Sequence, residues 1–439
     1  MAQALESHRV ERPRDVRTLL TRCMKVGRPA MIWGPPGIGK SELIAEIGIE
    51  TGRPVIDMRL LLLEPTDIKG IPYFDPETTT MKWAQPADLP QTITKAMLKD
   101  AEKAIATAKK TKQITAAKEE VAIAKKTGQV ATLKAAEQAL AELVDSVSEL
   151  EVEKLEQKLE QLIQLEKFSH AILFLDEINA APPSVQAAAY QLILNRRVGE
   201  YHLPKDVSMV CAGNRDSDKG VTYRMPSPLA NRLVHIEMQS NFDDWQKWAI
   251  AARVHPDVVG FLSHHKQKLF NFDPKSPDKA FATPRSWVFV SQLIDDSLPE
   301  SMNTALVAGT VGDGVATEFA AHRKVSARMP KSEDVLMGKE KNLNVKDLSA
   351  MYSLTISMCY TLQEWVARTK SKDEDAMTVD KWHECVDHFF QFMMENFQTE
   401  MSVLGAKTAL RDYALPINHR QLKTFKEFHT KFGKYILED

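Results

Sequence analysis

The stretch PAMIWGPPGIGKSELIAEIGIETGRPVIDMR, residues 29–59, constrains this chain more than any other. A short apolar run precedes a Gly/Pro turn, a helical pattern follows it, and a second apolar run closes the unit, which predicts strand, loop, helix and strand in that order. Within the turn, Gly34, Pro35, Pro36, Gly37, Ile38, Gly39, Lys40 and Ser41 satisfy G-x4-G-K-[ST] in the strand-to-helix context that the pattern requires. Glycines free the backbone N–H groups to wrap phosphate oxygens, and the helix N-terminus adds a favourable dipole. Lys40 is then placed for the β and γ phosphates of ATP, and the Ser41 hydroxyl for Mg2+.

The second constraint is AILFLDEIN, residues 171–179, apolar enough for a strand buried on both faces of a sheet. Asp176 and Glu177 fall at its carboxyl end, the edge of an α/β sheet where ligands bind. Alone, an acidic pair there is usually a turn or a cap. Downstream of the Gly34–Ser41 loop, Asp176 reads as a Mg2+ ligand and Glu177 as the base that activates water. Further elements are expected as a hairpin around residues 76–79, a helix over 184–194, a hairpin over 198–209, and strands at 210–214 and 234–238. Alternating strands and helices predict an α/β fold, a parallel-sheet core interrupted by one helical insertion. Beyond Asp243 the pattern is helical, with helices expected over 284–294, 301–307, 316–322, 348–369 and 379–394.

The insertion stands out by composition. From Thr92 to Phe168 there is one glycine, Gly128, and no proline. Residues 92–134 hold ten Lys against four acidic residues, and residues 135–168 hold three Lys against nine acidic residues. Two oppositely charged arms of about 35 residues predict an antiparallel helical coiled-coil hairpin about 50 Å long, with a seam at Leu133, Leu140, Val144, Val147, Leu155, Leu159 and Leu162. Near-copies at 108–118 and 124–134 leave a second turn near Lys112 open. Lys109, Lys110, Lys125 and Lys126 form a basic tip for a partner or nucleic acid; a solvated spacer is the plainer reading.

Charge over the whole chain argues against a globally basic surface: 57 Lys and Arg face 59 Asp and Glu in 439 residues. Four separated cysteines suggest neither a disulfide framework nor zinc. Without a leader-like N-terminus or a run long enough to span a bilayer, a cytoplasmic protein with no membrane partner is expected. HECVDH, residues 383–388, has one residue too many for a zinc helix, and FFQFMMENF, residues 389–397, reads as core.

With these motifs in place, the chain resembles AAA+ ATPases of the MoxR type, within the dynein-related subfamily, over roughly residues 12–91 and 168–330. GPPGIGKS resembles the family's Walker A motif and FLDEIN its Walker B motif. The resemblance implies that Asn214 is the sensor 1 side chain, that Arg232 in LANRL is the arginine finger acting on a neighbour's nucleotide, and that Arg285 in ATPRSW is the sensor 2 arginine of a lid. Arg224, Arg196 and Arg197 are rivals for the finger. AGTVGDGVATEF, residues 308–319, resembles the family's lid sequence. The hairpins near residues 70–83 and 198–207 resemble inserts that face a pore or a remodelled protein, making Tyr73, Phe74 and Tyr201 candidate contacts; packing on their own domain is the alternative. The implied organisation is a nucleotide-binding core at 1–91 and 169–240, the insertion at 92–168, a lid at 241–330 and a helical region at 331–439. The implied function is Mg2+-dependent ATP hydrolysis in a ring, a hexamer, that remodels a partner protein carrying a von Willebrand factor A domain. A DNA motor or loader and a nucleotide-gated scaffold are the alternatives.

Overall fold

The computed structural model describes residues 10–109, 149–218, 223–343, 345–369, 377–417 and 422–437. Lys110, Lys125, Lys126, the turns expected at Lys112 or Gly128, the seam from Leu133 to Val147 and most of the charged linker after Thr369 lie outside them.

Six parallel strands form the central sheet in the order β1-β10-β2-β9-β6-β3. They are β1 (Val10–Glu11), β2 (Ala30–Trp33), β3 (Val55–Arg59), β6 (Ile172–Asp176), β9 (Ser208–Gly213) and β10 (Val234–Met238). The central strands β6 and β9 are buried along their whole length, which is why their sequences are continuously apolar. Alternation still sorts their side chains. Met31, Leu173, Leu175, Met209 and Cys211 pack on one face against the helix Pro183–Asn195. Ala30, Ile32, Ile172, Phe174, Val210 and Ala212 pack on the other, against the helices Pro13–Lys25 and Lys40–Thr51. The edge strand β1 was not expected from the sequence; two residues are too few to carry a period.

Both expected hairpins are present. β4 (Ile71–Asp75) pairs antiparallel with β5 (Thr80–Ala84), and β7 (Arg197–Val198) with β8 (Tyr201–His202). The second is shorter than expected, because β9 begins at Ser208. In the insertion, residues 95–109 are helical and Glu149–Lys167 is a helix. Ile105 and Ala108 are buried, and Lys109 lies 2.7 Å from Glu156.

From Phe242 onward the fold is helical, and a single apolar cluster runs from Phe242 to Phe432, across residue 330. The helix Pro256–His264 lies so close to Leu348–Arg368 that a Cβ on Gly260 would overlap the Ser353 hydroxyl. The FFQFMMENF stretch is core, as read from its spacing: Phe389, Phe390, Phe392 and Met393 are buried. No helix among the described residues is long and apolar enough to cross a membrane.

Candidate functional site

β2, β9 and β6 are adjacent and parallel, so the loops after Trp33, Gly213 and Asp176 emerge side by side at one sheet edge. Topology therefore brings together three segments far apart in sequence. The first loop needs its glycines. Gly39 caps the helix Lys40–Thr51 in the left-handed region at φ 94°, and Gly37, at φ 76°, would drive a Cβ to 2.8 Å from Thr283 Oγ1. A Cβ on Gly34 would meet Ile38 and the Met238 carbonyl.

Lys40 is buried, and its ammonium donates to Gly34 O at 2.7 Å, to Pro35 O at 3.1 Å and to Asn214 Oδ1 at 3.1 Å. Burial pulls its pKa down to about 8, against the opposing pull of Asp176 and Asp218. A cation held by neutral carbonyls is under-compensated and attracts an anion. Beside it, Ser41 Oγ donates to Asp176 Oδ2 at 3.0 Å. A hydroxyl and a carboxylate are the hard oxygen donors that Mg2+ takes, so this pair fits the metal the sequence suggested. Asp176 Oδ1 accepts from the backbone N–H of Glu177 at 2.8 Å. Glu177 sits at φ 57°, a left-handed conformation that costs a non-glycine residue about 1 kcal/mol or more.

Arg285 opens the helix Pro284–Leu293, whose N-cap Thr283 forms a capping box with Ser286. Its backbone N–H donates to Gly37 O at 3.2 Å, and its guanidinium lies 3.7 Å from Glu42. The helix Pro284–Leu293 is thus stitched to the Gly34–Ser41 loop. Between them lies a cavity of about 640 Å³, lined among others by Gly39, Leu43, Trp245, Trp248, Arg285 and Val288.

Arg232 is elsewhere: it is exposed, and its Nη1 donates to Leu194 O at 2.9 Å. Of its rivals, Arg196 is committed to the carbonyls of Pro204, Lys205 and Val207, whereas Arg197 and Arg224 are exposed. Tyr73 and Phe74 are exposed on β4, but Tyr201 is buried with its hydroxyl donating to Pro90 O, so packing, not partner contact, is what Tyr201 does here.

Several participants were not foreseen. Arg215, itself half-buried, pairs with the buried carboxylates of Asp218 and, at 2.9 Å, Glu237 on β10, which ties down the loop after Asn214. Asn179 was not singled out, although it ends the FLDEIN motif; its Nδ2 donates to Asn214 O at 2.7 Å. Trp245 and Trp248, in DDWQKW, carry no spacing that separates a cavity wall from core.

Residues 30–238 match the family model described as the ATPase family associated with various cellular activities, AAA. No curated protein matches the chain. Among solved structures, one described as a "putative ATPase" from Cytophaga hutchinsonii superposes with a TM-score of 0.28 at 9% identity, over 96% of this chain and 88% of that one.

Proposed function

We propose that residues 30–238, which match the AAA family model, form an ATPase domain, and that the protein couples Mg2+-dependent ATP hydrolysis in a ring, of the MoxR type, to remodelling a partner protein. The observation that carries the reading is the desolvated Lys40 ammonium beside the Ser41–Asp176 pair at the end of three parallel strands. With ATP in the site, the loop N–H groups and Lys40 hold its phosphates. Ser41 and Asp176 would hold Mg2+, which neutralises charge on the phosphate oxygens when bound. Glu177, set by its kinked backbone at the strand end, orients water and takes its proton. Asn214 reports the γ-phosphate to β9, and Arg285 links it to the lid helix. The tryptophan-walled cavity suits a purine base.

AAA-family domains typically assemble into oligomers. An exposed Arg232, hydrogen-bonded at the end of the helix Pro183–Asn195 rather than to its own loop, supports a finger that serves a neighbour's nucleotide. The hexamer, the lid region at 241–330 and a partner with a von Willebrand factor A domain follow the family resemblance of the motifs.

Turnover of ATP by the purified protein tests the enzymatic reading. Wild type should hydrolyse ATP with Mg2+, whereas Lys40→Ala and Glu177→Gln should not; equal rates in all three would overturn it. Capture of partners on the ATP-bound Glu177→Gln form tests the client. Recovery of a protein with a metal-adhesion domain supports remodelling, and recovery of DNA selects the motor instead. Tight binding without turnover selects the scaffold.

A further inference from the structure

The turn after β6 is fastened to β9 and to the segment beyond it by three hydrogen bonds. Ile178 N donates to Ala212 O at 3.0 Å, Asn179 Nδ2 donates to Asn214 O at 2.7 Å, and Tyr223 N donates to Asn179 O at 2.7 Å. The middle bond is the one made by a side chain, and it reaches the backbone of the residue whose own Oδ1 accepts from Lys40. Asn179 is 2% exposed. Its Oδ1 is buried with no hydrogen-bond partner among the described residues and presses on Gly213, where any Cβ would overlap it.

An orphaned buried carbonyl is unfavourable, and a leucine of nearly the same shape would avoid it. Packing alone therefore does not explain an amide here; its single bonded end does. Two residues before it stands Glu177, so one short turn carries both the carboxylate and the amide that fixes Asn214. Loss of that bond removes the tie between the Asn214 carbonyl and the turn after β6, leaves the N–H of the same peptide on Asp218 Oδ2 at 3.0 Å, and does not touch the contacts of Lys40 with Gly34 and Pro35.

We propose that Asn179 is a positioning residue that sets Asn214 against Glu177, so that the water-activating and phosphate-sensing groups keep a fixed separation. This rests on the ATPase reading above, and wild-type turnover in the same assay separates failure of that reading from failure of this one.

The test compares Asn179→Leu and Asn179→Asp with wild type for kcat, KM, binding of a fluorescent ATP analogue and melting temperature. Asn179→Leu removes one orphaned acceptor but leaves Asn214 O without its donor, so it should melt only a few degrees below wild type and bind nucleotide within about threefold, while kcat falls by about tenfold or more. Asn179→Asp should lose kcat at pH 8 and recover part of it, relative to wild type at each pH, as acid protonates the new carboxyl and restores a donor to Asn214 O. A kcat within twofold of wild type for either variant at pH 8 overturns the proposal. So does a loss of kcat matched by equal losses of affinity and melting temperature, which marks a merely structural amide. If Asn179→Leu does not fold, the pH recovery of Asn179→Asp decides alone.

Discussion

Lys40 Nζ lies 3.1 Å from Asn214 Oδ1, a contact that joins the helix after β2 to the end of β9. It holds a lysine whose pKa burial has pulled down to about 8. Phosphate oxygens favour the charged form, so nucleotide must raise that value again. The free protein therefore takes up protons on binding ATP near and above pH 8, and almost none at pH 6.5, where Lys40 is already charged. Calorimetry in buffers of different ionisation enthalpy measures this; uptake that does not rise with pH contradicts it. Lys40→Ala should abolish the uptake and weaken binding about 10- to 100-fold, the worth of a charge-assisted hydrogen bond or two.

Gly37 faces Thr283, the N-cap of the helix Pro284–Leu293, and it is left-handed. Gly37→Ala adds a Cβ 2.8 Å from Thr283 Oγ1 and strains the backbone as well. A loss of about 1–3 kcal/mol is expected, felt both in the loop and at the start of that helix. Thermal melts with and without ATP check it: the variant should melt lower and gain less from nucleotide than wild type does.

The Gly34–Ser41 loop and the β6 strand were legible in the sequence because each is local. A loop that wraps phosphate and a strand buried on both faces leave their requirements in eight or nine consecutive residues. Long-range pairs left no such mark. Arg215 meets Glu237 across 22 residues, and Asn179 meets Asn214 across 35, because the sheet order, not the chain order, makes them neighbours. Tyr201 was open between partner contact and packing for the same reason. An aromatic in a hairpin looks available until the chain near Pro90 folds over it.

Two histidines in the helical part, His255 and His322, are held below the usual imidazole pKa of 6.5, in each case chiefly by burial. Asp257 opposes the shift at both, Asp347 also opposes it at His322, and Arg323 reinforces it at His255. The two serine hydroxyls of Ser349 and Ser353 flank the ring nitrogens of His322. Because the folded values lie below 6.5, the unfolded chain binds these protons first as pH falls. Their contribution is complete above about pH 6.5 and is lost as pH drops through the folded values. Urea midpoints at pH 7.5 and 5.0 should differ, and His322→Gln should narrow the gap; an unchanged gap removes His322 from the account.

Arg232 offers a test of assembly that does not depend on the client. If its guanidinium serves a neighbour's nucleotide, Arg232→Ala and Glu177→Gln are each inactive alone but complementary when mixed. A mixed ring pairs an intact Glu177 with an intact Arg232 at some interfaces, so turnover should reappear, at up to about a quarter of the wild-type rate for random mixing. Activity in the mixture no greater than the sum of the two variants rules out the finger in trans, and strictly monomeric mass with ATP present removes the ring.

The shared core from Phe242 to Phe432 bears on whether residues 241–330 fold alone. The helix Pro284–Leu293 buries Trp287 in that core, and Tyr360, on Leu348–Arg368, donates to Val254 O at 2.8 Å. A unit folded separately from residues 331–439 should survive their removal. One core through both means that removal exposes the face of Pro256–His264 that packs on Leu348–Arg368, and residues 241–330 should not fold. Truncation after residue 330 is therefore expected to give an insoluble or molten product. Gly260→Ala, a smaller insult, forces the two helices apart at Ser353 at a cost of about 1–3 kcal/mol. Calorimetry of that variant should show the whole helical region melting as one lowered transition; a transition that splits in two places a boundary inside the cluster instead.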